Sequence, residues 1–480
     1  RGQMAKKPAT VKAGASRKAS KASAKRRVAK PARSLSPPKK KVAAKKAAPK
    51  KAASTKKVVA KRPAKKAAKA AAPEPKKVAR KRAATSARPL DGLIVVEVGG
   101  GVEAAAAGSI LAVFGATVLK IEPPLAGDAE RTIEPLVGGV GADFLMFNRG
   151  KQSIALDAHS KKGRDAYLAI ARKADIVIDG AGYGVLDRAG IGYKALSKVA
   201  GQLIYVAISG YGQSGPQAKT VGAEINHLAF AGVLELFGGA SGLPSLPGLL
   251  LGPIAAGAFP AVIGTLMALQ ARNASGKGQL VDAAIVDGLM GVLATNLAQY
   301  SASKLKPRYG KGRFYGQYAC YQLYPARGSH WVAVGALAPS SWATLCKLLK
   351  REDLIADQYA DDVRQQVLIA ELTRIFQRKE VRDWMEIFAG HDVCVTPLRG
   401  IAGAAHDEHL IERGTIVTLK GPEGPFSQLG VFPKLSATPG SLGREIPALG
   451  QHTASALEFA GLSKKDIDAL LKAKVARVSK

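Results

Sequence analysis

The first 88 residues contain no Phe, Trp, Tyr or Ile, one leucine (Leu35) and one acid (Glu74). A segment so poor in apolar side chains cannot offset its ordering entropy by burial, and disorder is expected. The lack of acids concentrates charge: residues 1–88 hold 32 of the 72 lysines and arginines, a net +31, and leave only +5 on the other 392. Lysines spaced by Ala and Pro can track a phosphate backbone. Without aromatics to stack on bases, such an arm reads no sequence. Its partner class is nucleic acid or another polyanion such as polyphosphate. Cysteine is scarce as well. Cys320, Cys346 and Cys394 are odd in number and widely spaced, which argues for a reducing compartment, against a metal site, and for three small buried hydrophobes. No apolar run of ~20 residues lies near the start, so neither a secretory signal nor a membrane anchor is expected, and the protein should be cytoplasmic.

The full chain is 47% hydrophobic, and the part beyond the arm is organised around residues 90–122. The run from Leu93 to Val98 is apolar and β-branched, as in a buried parallel strand. Gly99, Gly100 and Gly101 follow, then an Ala-rich segment from Glu103 to Phe114 suited to a helix. Gly115 ends it, and Thr117 to Glu122 reads as a second strand. Strand, glycine turn, helix and strand make a right-handed βαβ unit. Gly99, Gly101 and Ala104 satisfy G-x-G-x-x-A, with Glu122 near a ribose-binding position, yet glycine turns recur wherever a strand feeds tightly into a helix. Further strands at 175–179 and 203–208, alternating with helices at 163–174 and 193–199, make the fold α/β with a mainly parallel sheet. Ser463 before an apolar-periodic run caps a terminal helix.

Several ordered motifs then carry a resemblance: FGATVLKIEPP (114–124), FNRGKQSIALD (147–157), LDRAGIGY (186–193), LIYVAISGYGQSGP (203–216) and GKGQLVDAAIVDG (276–288), with Cys394-Val395-Thr396-Pro397 and Gly450-Gln451-His452-Thr453 beyond them. Together these resemble the family III CoA-transferases (CaiB/BaiF type), which include formyl-CoA transferase and the α-methylacyl-CoA racemases. The arm, through Ala44 to Ala53, resembles the Lys/Ala/Pro tails of linker histone H1 and of bacterial histone-like proteins. The family implies a Rossmann-like large domain (89–300 plus 400–475), a smaller inserted domain (310–400, with three tryptophans) and an interlocked homodimer. It implies acyl-CoA and a carboxylic acid as substrates, CoA passing between them, and no permanently bound cofactor.

The resemblance also locates the chemical groups, and this chain departs there. The transferases attack the thioester with an Asp just after L-G, at the start of a glycine-rich helix; here Pro253 stands in that place. The racemases use a His in G-H-D-I-N, which is Ala223 here, and a Glu after the V-A-V-G strand, which is Ala338. Glu224 is the surviving carboxylate nearest the expected site, as a relocated nucleophile or as a hydrogen-bond acceptor. His227 lies one turn beyond Ala223. Leu156, Asp157, Ala158 and His159 match the segment that flanks the CoA adenine and ribose phosphate, and Gly182 and Arg188 match the phosphate-binding turn. Pro123 and Gln152 replace arginines common in the family. The run His406 to His409 reads as structural. The first expectation is CoA transfer. The alternative is a catalytically impaired, CoA-binding scaffold tethered to DNA or another polyanion by the arm, and so nucleoid-associated.

Overall fold

The structure, a computed structural model, describes residues 88–238, 243–306 and 310–479. The basic arm and its histone-like resemblance lie outside the described residues, Arg88 excepted. Six strands form the main parallel sheet: β1 Ile94–Val98, β2 Thr117–Glu122, β3 Gln152–Leu156, β4 Ile176–Asp179, β5 Ile204–Ser209 and β6 Leu280–Ala284, of which β1, β2, β4 and β5 stand where the sequence places strands. They pair in parallel in the spatial order β3-β2-β1-β4-β5-β6. A short strand, Ala476–Arg477, runs antiparallel along the outer edge of β3, an element the sequence reading did not contain.

The strands are continuously apolar because both faces are covered. On one face Val96, Leu119, Ile154, Val177 and Tyr205 pack against Tyr167 and Ile170 of helix Lys161–Ala171 and against the C-terminal helices. On the other, Val95, Val118, Ile178 and Val206 meet helix Val102–Val113 and the long helical segment from Leu251 to Ser275. That segment begins as a π-helical stretch, Leu251–Ala258, and becomes α-helical at Phe259. By length and composition it could cross a membrane, yet Ala258, Ala261, Ala268 and Leu269 are buried against the sheet.

Residues 319–393 build a core of their own around Trp342, Phe376 and Trp384. It includes an antiparallel sheet of Tyr321–Pro325, Trp331–Gly335 and Val395–Pro397. Both buried indoles donate to carbonyls, Trp342 to Leu354 at 3.1 Å and Trp384 to Phe376 at 2.8 Å, which lets them enter a core. Ser463 caps the last helix, accepting from Asp466 N–H. Cysteine burial needs one correction. Cys320 and Cys346 are buried, but Cys394 is exposed, in a left-handed turn at φ 49°.

Candidate functional site

In an open parallel sheet, ligands bind where neighbouring strands lead their connections to opposite faces, at the carboxyl ends. Here that point lies between β1 and β4. Two glycine turns meet there, Gly99–Gly101 after β1 and Gly180–Gly182 after β4. A Cβ on Gly99 would collide with the backbone of Ala181, and one on Gly180 with the carbonyl of Gly100, so both positions must be glycine. Asp179 anchors the second turn, accepting from Ala181 N–H at 2.9 Å and from the Tyr205 hydroxyl at 2.7 Å. Burial pushes its carboxyl up to about 6, against the pull of those two donors.

Two clefts adjoin at this point, sharing Ala181 and Val185. One, of about 510 Å³, runs over Gly99–Gly101 to the ends of β2 and β3 and contains Leu156, Asp157, Ala158 and His159 in its wall. The other, of about 450 Å³, runs past β5 and is lined by Gly182, Arg188, Ser209, Tyr211, His227 and Glu103. The six residues expected to touch CoA thus line the two adjoining clefts, 156–159 the first and Gly182 and Arg188 the second. Leu156 is buried, Asp157 holds His159 N–H at 3.1 Å, and Arg188 is exposed with Nη1 donating to the Tyr183 carbonyl at 3.3 Å.

Behind the first cleft sits a charge cluster that the sequence reading missed. Glu97 and Lys120 face each other in the β1–β2 register and bond at 2.6 Å. Lys120 also reaches Asp128 at 2.5 Å. The Lys151 ammonium meets the second oxygen of Glu97 at 2.6 Å, the Ala105 carbonyl at 2.8 Å and Asn148 at 2.9 Å. Burial works against Lys120, but the two carboxylates outweigh it and raise its pKa. Lys151 has one carboxylate and a neighbouring ammonium, and burial brings it down to about 8. Glu122 takes a two-pronged Arg131 at 2.7 and 2.8 Å, the Ser153 hydroxyl at 2.6 Å and Asp128 N–H at 2.9 Å. Its oxygens are committed to the protein, which removes the acid a dinucleotide's ribose would need. Lys151 is likewise internal. The signal was present: a charge inside an apolar strand must find a partner.

The chain's similarity to known proteins agrees with this geometry. Residues 90–453 match the model of "CoA-transferase family III". Human alpha-methylacyl-CoA racemase is 29% identical over 380 residues, covering 79% of this chain and 95% of that protein. The beta subunit of succinyl-CoA–L-malate CoA-transferase from Chloroflexus aurantiacus is 30% identical over 402 residues, covering 80% and 98%. A crystal structure of a CAIB/BAIF family protein from Brucella suis superposes with a TM-score of 0.69 at 28% identity, over 78% of this chain and 99% of that one.

The chain belongs to CoA-transferase family III. At the positions where the resemblance leads us to expect reactive groups, the residues are Pro253, Ala223 and Ala338. Pro253 lies half-buried in the π-helical stretch, Ala223 precedes helix Glu224–Ala231, and Ala338 is exposed at the start of helix Pro339–Leu348. None has a side-chain atom that can attack or carry a proton. Glu224 stands beside the first of them, Oε1 accepting Gly252 N–H at 2.9 Å, while Oε2 is buried without a hydrogen-bond partner. It braces the start of the long helix and is not among the cleft-lining residues. His227 is 5% exposed, edge-on to Tyr211, and neither ring nitrogen has a partner. Burial lowers its pKa, which favours the neutral imidazole. Of the residues lining the second cleft, Glu103 is the one acid.

Proposed function

We propose that this protein binds acyl-CoA along the two adjoining clefts and transfers CoA between an acyl-CoA and a carboxylic acid. The observation that carries the reading is the pair of adjoining clefts, with segment 156–159 lining one and Glu103 and His227 the other. The relatives whose names state a CoA-transferase or acyl-CoA racemase activity support it. Calorimetric titration of the full chain with CoA and succinyl-CoA, beside a turnover assay with dicarboxylic acceptors, tests it. Absence of binding overturns it.

A specific observation favours a second reading. With Pro253, Ala223 and Ala338 in place of the family's acids and bases, binding without turnover identifies a CoA-responsive scaffold. In either case the assembly is a homodimer. The outward side of the long helix exposes Phe259, Ile263, Leu266 and Met267, and a second copy covers this apolar face. The arm tethers the protein to nucleic acid or polyphosphate in the cytoplasm. With about eight to ten lysines on phosphates, affinity falls about 10⁴-fold or more between ~50 and ~200 mM salt. A flat salt dependence rejects the tether.

A further inference from the structure

We propose that Glu103 supplies the reactive carboxylate that position 253 lacks, and that the acyl group is carried on its side chain. This rests on the acyl-CoA reading above and names the residue that performs it. Glu103 lies in the first turn of helix Val102–Val113, directly after the glycine turn of β1. Both its carboxylate oxygens lie over Gly101, where a Cβ would stand 2.7 Å from Oε1 and 3.1 Å from Oε2. Gly101 lines the nucleotide-side cleft and Glu103 the other, so the carboxylate sits at their junction. A thioester leading from one cleft into the other crosses that point. Glu103 also borders the segment that includes Pro253: a Cβ on Gly257 would stand 3.4 Å from Glu103 Cβ.

Its surroundings suit a nucleophile. The helix N-terminus favours negative charge where it develops. Burial raises the carboxyl above the usual range, with a smaller push from Glu130 and an opposing bond from its own backbone N–H, and a more basic carboxylate is the better nucleophile when ionised. Further along the same cleft, the unpartnered and almost wholly buried His227 marks a second polar group with no structural bond to keep it there.

The steps balance without another reactant. A Glu103 oxygen attacks the thioester carbonyl, the C–S bond breaks, and CoA leaves as thiolate, forming a mixed anhydride. The thiolate attacks the glutamyl Cδ and releases the first acid as its carboxylate, leaving a glutamyl-CoA thioester. An incoming carboxylate attacks Cδ and expels the thiolate. The thiolate then takes the new acyl group, and Glu103 is restored as a carboxylate.

Full-length protein is incubated with succinyl-CoA, quenched with hydroxylamine and digested with trypsin, and the peptides 83–120 and 220–272, which hold Glu103 and Glu224, are read by mass spectrometry. The expected result is a hydroxamate on Glu103 in the parent, slower formation in Glu103→Asp, and loss of label in Glu103→Gln that is still folded by its melting curve. Glu97, in the same peptide and fully paired, stays unlabelled. Label on Glu224 or persisting in Glu103→Gln, or CoA binding with no label in the parent, overturns the assignment and leaves the CoA reading standing. Failure of the parent to bind CoA or succinyl-CoA overturns both.

Discussion

The two rims of the crevice are built on opposite principles. On the β1–β2–β3 rim, Glu97, Lys120, Lys151, Asp128, Glu122 and Arg131 are packed into a wall where each charge meets at least one of the other sign. On the opposite rim, from β4 along the helical segment that starts at Leu251, carboxylates stand without cations. Asp179 is held by a hydroxyl and an amide, and Glu224 has one oxygen with no partner. Pro253, at the position where the resemblance expects a reactive Asp, also lies on this second rim. A paired, dehydrated network is costly to alter one member at a time, because each loss strands a charge. An unpaired group can be replaced with little penalty. The difference makes the first rim the harder of the two to alter.

The strongest way to break the comparison is Glu97→Gln. It removes the carboxylate shared by two buried ammonium groups, leaving Lys120 with Asp128 and Lys151 with neutral acceptors only. Breaking a buried pair in this way costs about 3–5 kcal/mol. Urea denaturation followed by circular dichroism should show that loss. A change under about 1 kcal/mol would mean that the network is not dehydrated in solution.

The second test uses pH at Asp179. Its folded pKa, raised to about 6, lies above an unfolded aspartate near 3.9, so the fold favours the neutral form. The group's contribution to stability therefore grows as pH falls through about 6, and levels off below about 4. The full swing is about 2–3 kcal/mol. Asp179→Asn should be the more stable protein at pH 8 and lose that advantage at pH 5. An unchanged difference between the two pH values would place the carboxyl in water.

Ligand affinity comes next. Arg188 is exposed and spends one weak bond on the Tyr183 carbonyl, leaving its forked donors for phosphate oxygens. Arg188→Ala should weaken CoA about tenfold in calorimetry, as expected for one charge-assisted hydrogen bond, with no shift in melting temperature. Equal affinity would remove Arg188 from the site.

How far the sequence reaches follows the same division. Strand positions, the glycine turns and the Ser463 cap were legible because period, propensity and turn chemistry are local. The helix at Val102–Val113 differs from its reading by one residue at each end. Residues 156–159, Gly182 and Arg188 were expected from motif order, and the structure places them along the two adjoining clefts. The ion cluster was not, because Lys120 meets Glu97 only through strand pairing and Lys151 arrives from a third strand's approach. Glu103 read as an ordinary helix former, since its place over Gly101 depends on the glycine turn. The edge strand Ala476–Arg477 is two residues long, too short for any periodic signal.

The smallest effect expected is also the most discriminating, because it repeats the first substitution on the other rim. Glu224→Gln keeps an acceptor for Gly252 N–H and removes a charge that has no cation. The retained bond is worth about 1 kcal/mol. Loss of the buried charge acts in the stabilising direction, while the new amide hydrogens must find acceptors. These terms oppose each other, and the net should lie within about 1 kcal/mol of the parent. The same exchange of carboxylate for amide thus costs several kcal/mol at Glu97 and almost nothing at Glu224. Denaturation curves of the two variants, run side by side, check the contrast. Acyl trapping on Glu224→Gln should match the parent, since Glu224 lies in the wall and not on the crevice. A collapse of stability there would show that the second rim is as tightly wired as the first. Loss of trapping with stability intact would move the reactive carboxylate from Glu103 to Glu224.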